Sequence, residues 1–380
     1  MPGLPDDLLR YHRQVLLPSI GEAGQKRLLA SHALIVGCGA LGAMIADLLA
    51  RAGVGTLTIV DRDIVDLTNL QRQVLFDEAD VKAGIPKAEA AKARIASINR
   101  DVTVHAHVDD FNHRNALQYA QGADIILDGL DNFQTRYLLN DLAVRFALPY
   151  IYGGAVGTTG MSMAILPAAV AEAADGRDVR SSILWKPEQA TPCLRCVFPD
   201  APPPGASPTC DTAGILGPAA AIIASHQATQ ALKLLTGNND ALDRSLLSID
   251  LWTNRIRRFD LRAARGPDCP CCGAGRFEHL EGAAASEAIH LCGRDAVQIP
   301  PPRGEAADFP GLDLEQIAIR LAPHGEFSRN RFLLRGTFAN ERNENGEPLE
   351  LTLFPNGRAI IRGTDRVESA RSLYARYVGN

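Results

Sequence analysis

Apolar and polar positions along this chain repeat with two periods. Ala33–Val36, Thr56–Val60 and Ala123–Leu127 are short, mostly apolar runs, the first of them unbroken, of the kind found in strands buried on both faces. Between and after them, residues up to Arg51, the stretch after Lys87 and Thr135–Phe146 place apolar side chains every three to four positions, the spacing of a helix packed on one face. Thr103–Val108 alternates as a half-buried strand, with His105 and His107 read as surface positions, and Asn115–Tyr119 is helical. Tyr150–Tyr152 closes the alternation of strand and helix. Residues 8–31 read as one or two helices outside the sheet. The prediction is an α/β domain built on a doubly wound, mostly parallel sheet.

After Gly153 the pattern changes. Thr159–Leu166 is expected as a strand, Ala168–Arg180 as a loop and the proline-rich stretch 201–210 as another loop. Ile215–Leu235 is a long apolar helix, and Leu246–Leu251 and Arg255–Leu261 are paired strands. Residues 1–275 are taken as one domain. From Phe277 the composition shifts, and residues 276–380 read as a small α+β domain of unassigned role. Its expected order is β-α-β-β-β-α, from Val297–Ile299, Asp313–Leu321, Phe332–Thr337, Leu349–Phe354, Ala359–Arg362 and Val367–Tyr377. Pro355-Asn356-Gly357-Arg358 is the hairpin turn between the last two strands.

The turn after the first strand carries Gly37, Gly39 and Gly42, with a strand before and a helix after. In that context Gly37 permits the tight turn, Gly39 lets backbone approach a phosphate, and Gly42 allows close helix packing. The helix N-terminus directs free N–H groups at the anion. Asp61 ends the second strand, 19 residues after Gly42, where an acid accepts hydrogen bonds from ribose hydroxyls. These features define a Rossmann-like nucleotide site without choosing NAD or ATP. The polar stretch Thr68-Asn69-Leu70-Gln71-Arg72, Lys87 at a helix start, Arg13 near the amino terminus and Asp131-Asn132 after a later strand favour ATP. Cleaving a triphosphate needs fixed cations and a carboxylate for Mg²⁺, which a dehydrogenase does not. An NAD-dependent oxidoreductase and a catalytically inactive scaffold are the alternatives.

Composition narrows the partners. The chain has 380 residues, 46% apolar and 22% charged, with a formal net charge of −5. No basic run could neutralise a line of phosphates, so nucleic acid is not expected as a partner. No apolar run reaches the length of a membrane span, and the amino terminus lacks a signal-peptide pattern, so a cytoplasmic protein is expected. Of 8 cysteines, Cys193/Cys196 and Cys269/Cys272 form two C-x-x-C pairs, a ligand set for structural zinc. Cys271 lies inside the second pair, and the spacing favours Cys272 as the ligand. Cys38 is expected to be packed. Cys210 precedes a helix, which lowers a thiol's pKa; whether it reacts stays open. Cys292 is a weaker candidate for persulfide chemistry.

RYHRQVLLPSIGEAGQKRL, VGCGALG, GVGTLTIVDRDIVDLTNLQRQ, GIPKAEAA, LDGLDNFQTRYLLN, CLRCVFP, TCDTAGILGP and CPCCG together resemble the ThiF/MoeB/HesA family, over roughly residues 8–275. The resemblance implies an adenylyltransferase that activates the C-terminal glycine of a ubiquitin-like sulfur carrier ending in Gly-Gly, giving an acyl-adenylate and pyrophosphate in thiamine or molybdopterin biosynthesis. It assigns Gly39 to phosphate approach and Asp61 to ribose. It assigns Asn69, Gln71, Arg72 and Lys87 to the triphosphate, Asp131 to Mg²⁺ and Asn132 to the nucleotide. It implies a homodimer in which Arg13 reaches the neighbouring site, a covalent role for Cys210 in some members, and a sulfur donor enzyme as a further partner.

Overall fold

The computed structural model describes residues 5–168, 183, 185–200, 213–283, 289–291, 295–301 and 311–379. Of the stretch expected as a loop at Ala168–Arg180 all but Ala168 lies outside the described residues, as do 201–210 with Cys210, and Cys292. The chain forms two compact units, Met1–Ala284 and Ala285–Asn380.

The first unit is built on an eight-stranded sheet in the order β3-β2-β1-β4-β5-β6-β7-β8. The strands are β1 His32–Val36, β2 Thr56–Val60, β3 Thr103–His107, β4 Ile125–Asp128, β5 Tyr150–Val156, β6 Thr159–Ile165, β7 Ser245–Asp250 and β8 Arg255–Asp260. Strands β1 to β5 pair in parallel, and β6 to β8 add an antiparallel extension. Largely apolar runs form the central strands because both faces are covered. Ala33 and Ile35 of β1 feed one core together with Leu57, Ile59, Ile125 and Leu127. Leu34 and Val36 point the other way, into a second core with Val60 and Ile126.

Helices Ala40–Ala52, Lys87–Ile98 and Gly217–Leu235 supply Ile45, Leu49, Ile95, Ala224 and Leu234 to the first core. Helix Phe133–Phe146 supplies Leu138 and Leu142 to the second. Helix Gly217–Leu235 lies close over β5 and β6 because Gly160 has no side chain; a Cβ there would meet Ile223 Cγ1 at 2.3 Å. Among the described residues no helix is long and apolar enough to cross a membrane. Strand β5 is longer than Tyr150–Tyr152, because its antiparallel pairing with β6 runs from Tyr150↔Ile165 to Val156↔Thr159.

In the second unit β9 Ile289–Leu291, β10 Ala296–Ile299, β11 Gly325–Arg329, β12 Leu334–Arg342, β13 Pro348–Leu353 and β14 Ala359–Arg362 form an antiparallel sheet in the order β11-β12-β13-β14-β10-β9. Helices Leu314–Leu321 and Val367–Tyr377 bring Leu314, Ile317, Leu321, Ala370 and Leu373 into one core with Leu349, Leu351, Leu353 and Ile361. Asp313 caps the first helix through the N–H groups of Glu315 and Gln316, as its position at the helix start suggests. The expected order lacked two strands, β9 Ile289–Leu291 and β11 Gly325–Arg329. Both are edge strands, one only three residues long and the other largely exposed. Ile289–Leu291 is too short for its alternation to mark a strand, and Gly325–Arg329 has one large apolar side chain, Phe327. The corrected order is β-β-α-β-β-β-β-α.

Candidate active site

The chain order reverses on either side of β1, between β2 and β4, and in doubly wound sheets a crevice opens there beyond the strand ends. Here the two loops touch backbone to backbone. Gly37 takes φ +87°, and a Cβ on it would lie 2.6 Å from the carbonyl of Gly129. A Cβ on Gly129 would meet Gly37 O at 2.2 Å, and one on Gly42 would meet it at 1.8 Å. Gly39 differs. It caps helix Ala40–Ala52, and the nearest atom to its Cβ position is Gln73 Nε2 at 3.8 Å. Space is therefore kept open directly above a helix N-terminus, which suits a phosphate.

At the end of β2, the buried carboxylate of Asp61 accepts the Cys38 N–H at 2.6 Å and the Asp63 N–H at 2.7 Å. It therefore ties the glycine turn to the second strand, and about two further lone-pair sites remain for a ligand. Burial pushes its pKa above the usual carboxylate range, while the charge of Lys87 opposes that rise. Lys87 starts helix Lys87–Ile98, is only 5% exposed along its side chain and holds Asp63 Oδ2 at 3.0 Å. Arg62 pairs with Asp110 at 2.9 Å and also feels Asp63, Asp131 and Asp61. The sequence reading missed Arg62, since one charged residue at a strand end carries no distinguishing pattern.

The segment after Ile64 is a built turn, not an irregular loop. Asp66 accepts the N–H and hydroxyl of Thr68 at 3.0 and 2.9 Å, and its own N–H donates to Asn69 Oδ1 at 3.2 Å. This reciprocal cap buries Asn69. Arg72 Nη1 donates to Thr68 O at 2.9 Å. Leu70 packs on the core, while Thr68 and Gln71 stay exposed. Gly217 brings the start of helix Gly217–Leu235 against this turn, with its Cβ position 3.1 Å from Gln71 O.

On the β4 side, Asp131 is exposed, and its hydrogen-bond partner among the described residues is Asn132 Nδ2 at 3.5 Å. Asn132 Oδ1 accepts the Thr135 N–H at 2.9 Å, so this residue caps helix Phe133–Phe146. Beneath them lies a buried ion pair, Arg136 Nε to Asp128 Oδ2 at 3.2 Å. Tyr150 donates to the same Asp128 oxygen at 2.7 Å, and the Leu130 N–H donates to Oδ1 at 2.9 Å. Arg136 Nη2 donates to Leu130 O at 2.6 Å and Gly153 O at 3.0 Å. Gln227 Nε2 donates to Asp128 O at 2.9 Å and Ile151 O at 3.1 Å.

Two other predicted groups lie away from the crevice. The Sγ atoms of Cys193, Cys196, Cys269 and Cys272 all lie within 4.8 Å of one another. Four thiolates about 2.3 Å from one zinc would sit about 3.8 Å apart, so the set fits a tetrahedral ion. Cys271 stands outside it and accepts from Asn140 Nδ2 at 3.2 Å, while Asn140 Oδ1 accepts the Leu194 N–H at 2.7 Å. Arg13 is exposed on the short helix His12–Val15. Its neighbours anchor that helix: Asn99 Nδ2 donates to the Tyr11 hydroxyl at 2.8 Å, and Gln14 Nε2 to Ala52 O at 2.9 Å.

A model of the ThiF family matches residues 11–271. The chain belongs to the ThiF family. It is 40% identical over 373 residues to the "Sulfur carrier protein ThiS adenylyltransferase" of Bacillus subtilis (strain 168), covering 97% of this chain and 99% of that relative. It is 38% identical over 272 residues to the "SAMP-activating enzyme E1" of Haloferax volcanii, covering 72% of this chain and 91% of the other. A crystal structure of E. coli MccB with MccA-N7isoASN shares the fold at TM-score 0.56 and 24% identity, over 70% of this chain and 75% of that one.

In this ThiF-family chain the residues that fix the Asp131 loop, namely Asp128, Arg136, Tyr150 and Gln227, were not singled out from sequence. An arginine among the apolar positions of Thr135–Phe146 was the available signal for Arg136, since a buried guanidinium requires a partner. Arg136→Ala leaves the Asp128 charge buried without its cation. It is expected to cost about 3–5 kcal/mol in urea unfolding followed by fluorescence of Trp185 and Trp252, both in the first unit. A loss below about 1 kcal/mol would mean that this pair does not hold the loop.

Proposed function

We propose that this chain is an ATP-dependent adenylyltransferase that activates the C-terminal glycine carboxylate of a ubiquitin-like sulfur carrier, for thiamine or molybdopterin biosynthesis. The observation that carries this reading is the crevice at the β1/β4 switch point, with an open glycine above a helix N-terminus and Lys87, Arg72 and Asp131 on the elements around it. The match to a ThiS adenylyltransferase over nearly the full length of both chains favours a carrier of the ThiS type. A dehydrogenase reading finds no support in these relatives.

In the proposed reaction a carrier carboxylate oxygen attacks the α-phosphorus of ATP. The bond from that phosphorus to the bridging oxygen breaks, and pyrophosphate leaves with the electron pair. No proton needs to move, because the carboxylate is already ionised near neutral pH. The work of the protein is placement and charge compensation. Gly37 and Gly39 shape the loop, and the N-terminus of helix Ala40–Ala52 faces the phosphates. Asp61 takes the ribose hydroxyls. Asn69, Gln71, Arg72 and Lys87 line the triphosphate, with Lys87 steadied by Asp63. Asp131 would hold Mg²⁺, which offsets charge on the pyrophosphate. Asn132 acts through its helix cap, keeping Asp131 at the crevice.

Arg13 serves the neighbouring subunit of a homodimer in this reading. What supports it is the anchoring of Arg13's helix at Ala52. Helix Ala40–Ala52 has 13 residues, so that anchor lies about 20 Å from the glycine loop. An arginine side chain does not span that distance. Cys193, Cys196, Cys269 and Cys272 would hold a structural zinc with no open position, joining helix Leu194–Val197 to the chain after β8.

Carrier-dependent pyrophosphate–ATP exchange tests the function. The wild-type chain with a carrier ending in Gly-Gly is expected to exchange, and Asp131→Ala to lose about 10²–10³-fold in rate with an unchanged melting temperature. Near-normal exchange by that variant would remove Asp131 from the reaction. Metal analysis tests the second site. Cys272→Ser is expected to lose zinc and melt at lower temperature, whereas Cys271→Ser keeps zinc. The reverse pattern would reassign the fourth ligand.

A further inference from the structure

Four polar side chains, Ser162, His226, Gln230 and Asp243, join helix Gly217–Leu235 to β6 and to the turn before β7, and the proposed reaction uses none of them. Ser162 is fully buried on β6, and its hydroxyl donates to Tyr152 O at 2.9 Å. With that proton spent, the Ser162 oxygen accepts from His226 Nδ1 at 3.1 Å. On the other side of the ring, His226 Nε2 accepts from Gln230 Nε2 at 3.2 Å. The Gln230 amide is fixed in that sense. Its Oε1 accepts from the Asp243 N–H at 2.9 Å and from Lys233 Nζ at 3.3 Å. Both hydrogen bonds of the ring therefore specify a neutral imidazole with its proton on Nδ1.

A second proton, on Nε2, would set two donors face to face. Turning the Gln230 amide over would in turn set its nitrogen against the Asp243 N–H and Lys233. The acceptor on offer is Asp243 Oδ2, which already takes Arg258 Nε at 3.1 Å and lies 3.7 Å from His226 Nε2. That is beyond hydrogen-bond reach unless the ring turns, and turning withdraws Nδ1 from Ser162. We propose that His226 is a pH-sensitive latch, which ties helix Gly217–Leu235 to β6 when neutral and releases it when protonated. The tie lies one residue from Gln227, whose amide holds Asp128 O and Ile151 O, so release loosens the helix where it braces the crevice. The charged groups facing the ring are Asp243 from the turn before β7, Arg258 from β8 and Lys233 from its own helix; β6 faces it with the Ser162 hydroxyl. Burial lowers the pKa of the ring below its ordinary value. Asp243 opposes that shift, while Lys233 and Arg258 add to it. A folded-state pKa below the unfolded one means that the tie is fully made above about pH 6.5 and is lost as pH falls below it. The latch goes beyond the adenylyltransferase reading and does not depend on it.

Hydrogen exchange of the full chain, read by mass spectrometry and corrected for the intrinsic pH dependence of exchange, tests this. Between about pH 7.5 and 5.5 the wild-type segment Gly217–Leu235 is expected to lose about three- to tenfold in protection relative to His226→Asn. That variant keeps an N–H for Ser162 and does not titrate. Helix Lys87–Ile98 is expected to show no such difference between the two proteins. Asp243→Asn places a donor where the protonated ring needs an acceptor, so it is expected to deepen the wild-type loss. This comparison decides the matter even where His226→Asn does not fold. A parallel decline in wild type and His226→Asn, an equal difference in helix Lys87–Ile98, or a loss that Asp243→Asn leaves unchanged would each overturn the proposal.

Discussion

The contact on which the rest of the first unit depends is the backbone-to-backbone approach of the Gly37 and Gly129 loops. Strands β1 and β4 are neighbours, and their carboxyl ends can lie this close only where neither loop carries a side chain. Gly42 extends the same constraint into the helix, which sits directly against the Gly37 carbonyl. The consequence is a crevice with a fixed floor. Phosphate would meet a helix N-terminus on one side and the Asp131 loop on the other, with little backbone left to reorganise when it arrives.

Charge is arranged around that floor in tiers. The inner tier is buried and structural: Asp61 ties the glycine turn to β2, and Asp128 with Arg136 ties β4 to helix Phe133–Phe146. Around it stand Lys87, itself buried and paired with Asp63, Arg72 on the turn that Asp66 and Asn69 fix, and Asp131 on the loop that Asp128 and Arg136 hold. A buried ion pair is poor evidence of stability, because desolvation offsets most of its attraction. Its effect here is geometric. Asp128 accepts from Tyr150, Arg136 and the Leu130 N–H together, so the turn leading to Asp131 has one place to go.

Much of this was legible in the sequence, for physical reasons. Strands buried on both faces are mostly apolar, so β1, β2 and β4 stood out in the sequence, and a phosphate turn must use glycine where a Cβ would collide. The paired C-x-x-C segments converge on one cluster, with Cys272 rather than Cys271 completing it. What stayed hidden was the support. Arg62, Asp128, Tyr150 and Gln227 are single polar residues whose partners are remote in the chain, and no local period marks them. Asn132, which the resemblance assigns to the nucleotide, also caps helix Phe133–Phe146 through Oδ1, a second use that Asn-x-x-Thr before a helix allows. In the second unit the two missed strands lie at sheet edges: Ile289–Leu291 has three residues, and Gly325–Arg329 is largely exposed with one large apolar side chain to mark it.

The central claim is that this crevice directs a carrier carboxylate onto the α-phosphorus of ATP. Intact-mass measurement of a ThiS-type carrier after brief incubation with the chain, ATP and Mg²⁺ tests it most directly. The expected result is a carrier heavier by one adenylyl group, formed with release of pyrophosphate and absent when its terminal glycine is removed. Carrier of unchanged mass, with ATP converted to ADP and phosphate, would place the attack at the γ-phosphorus and contradict the claim.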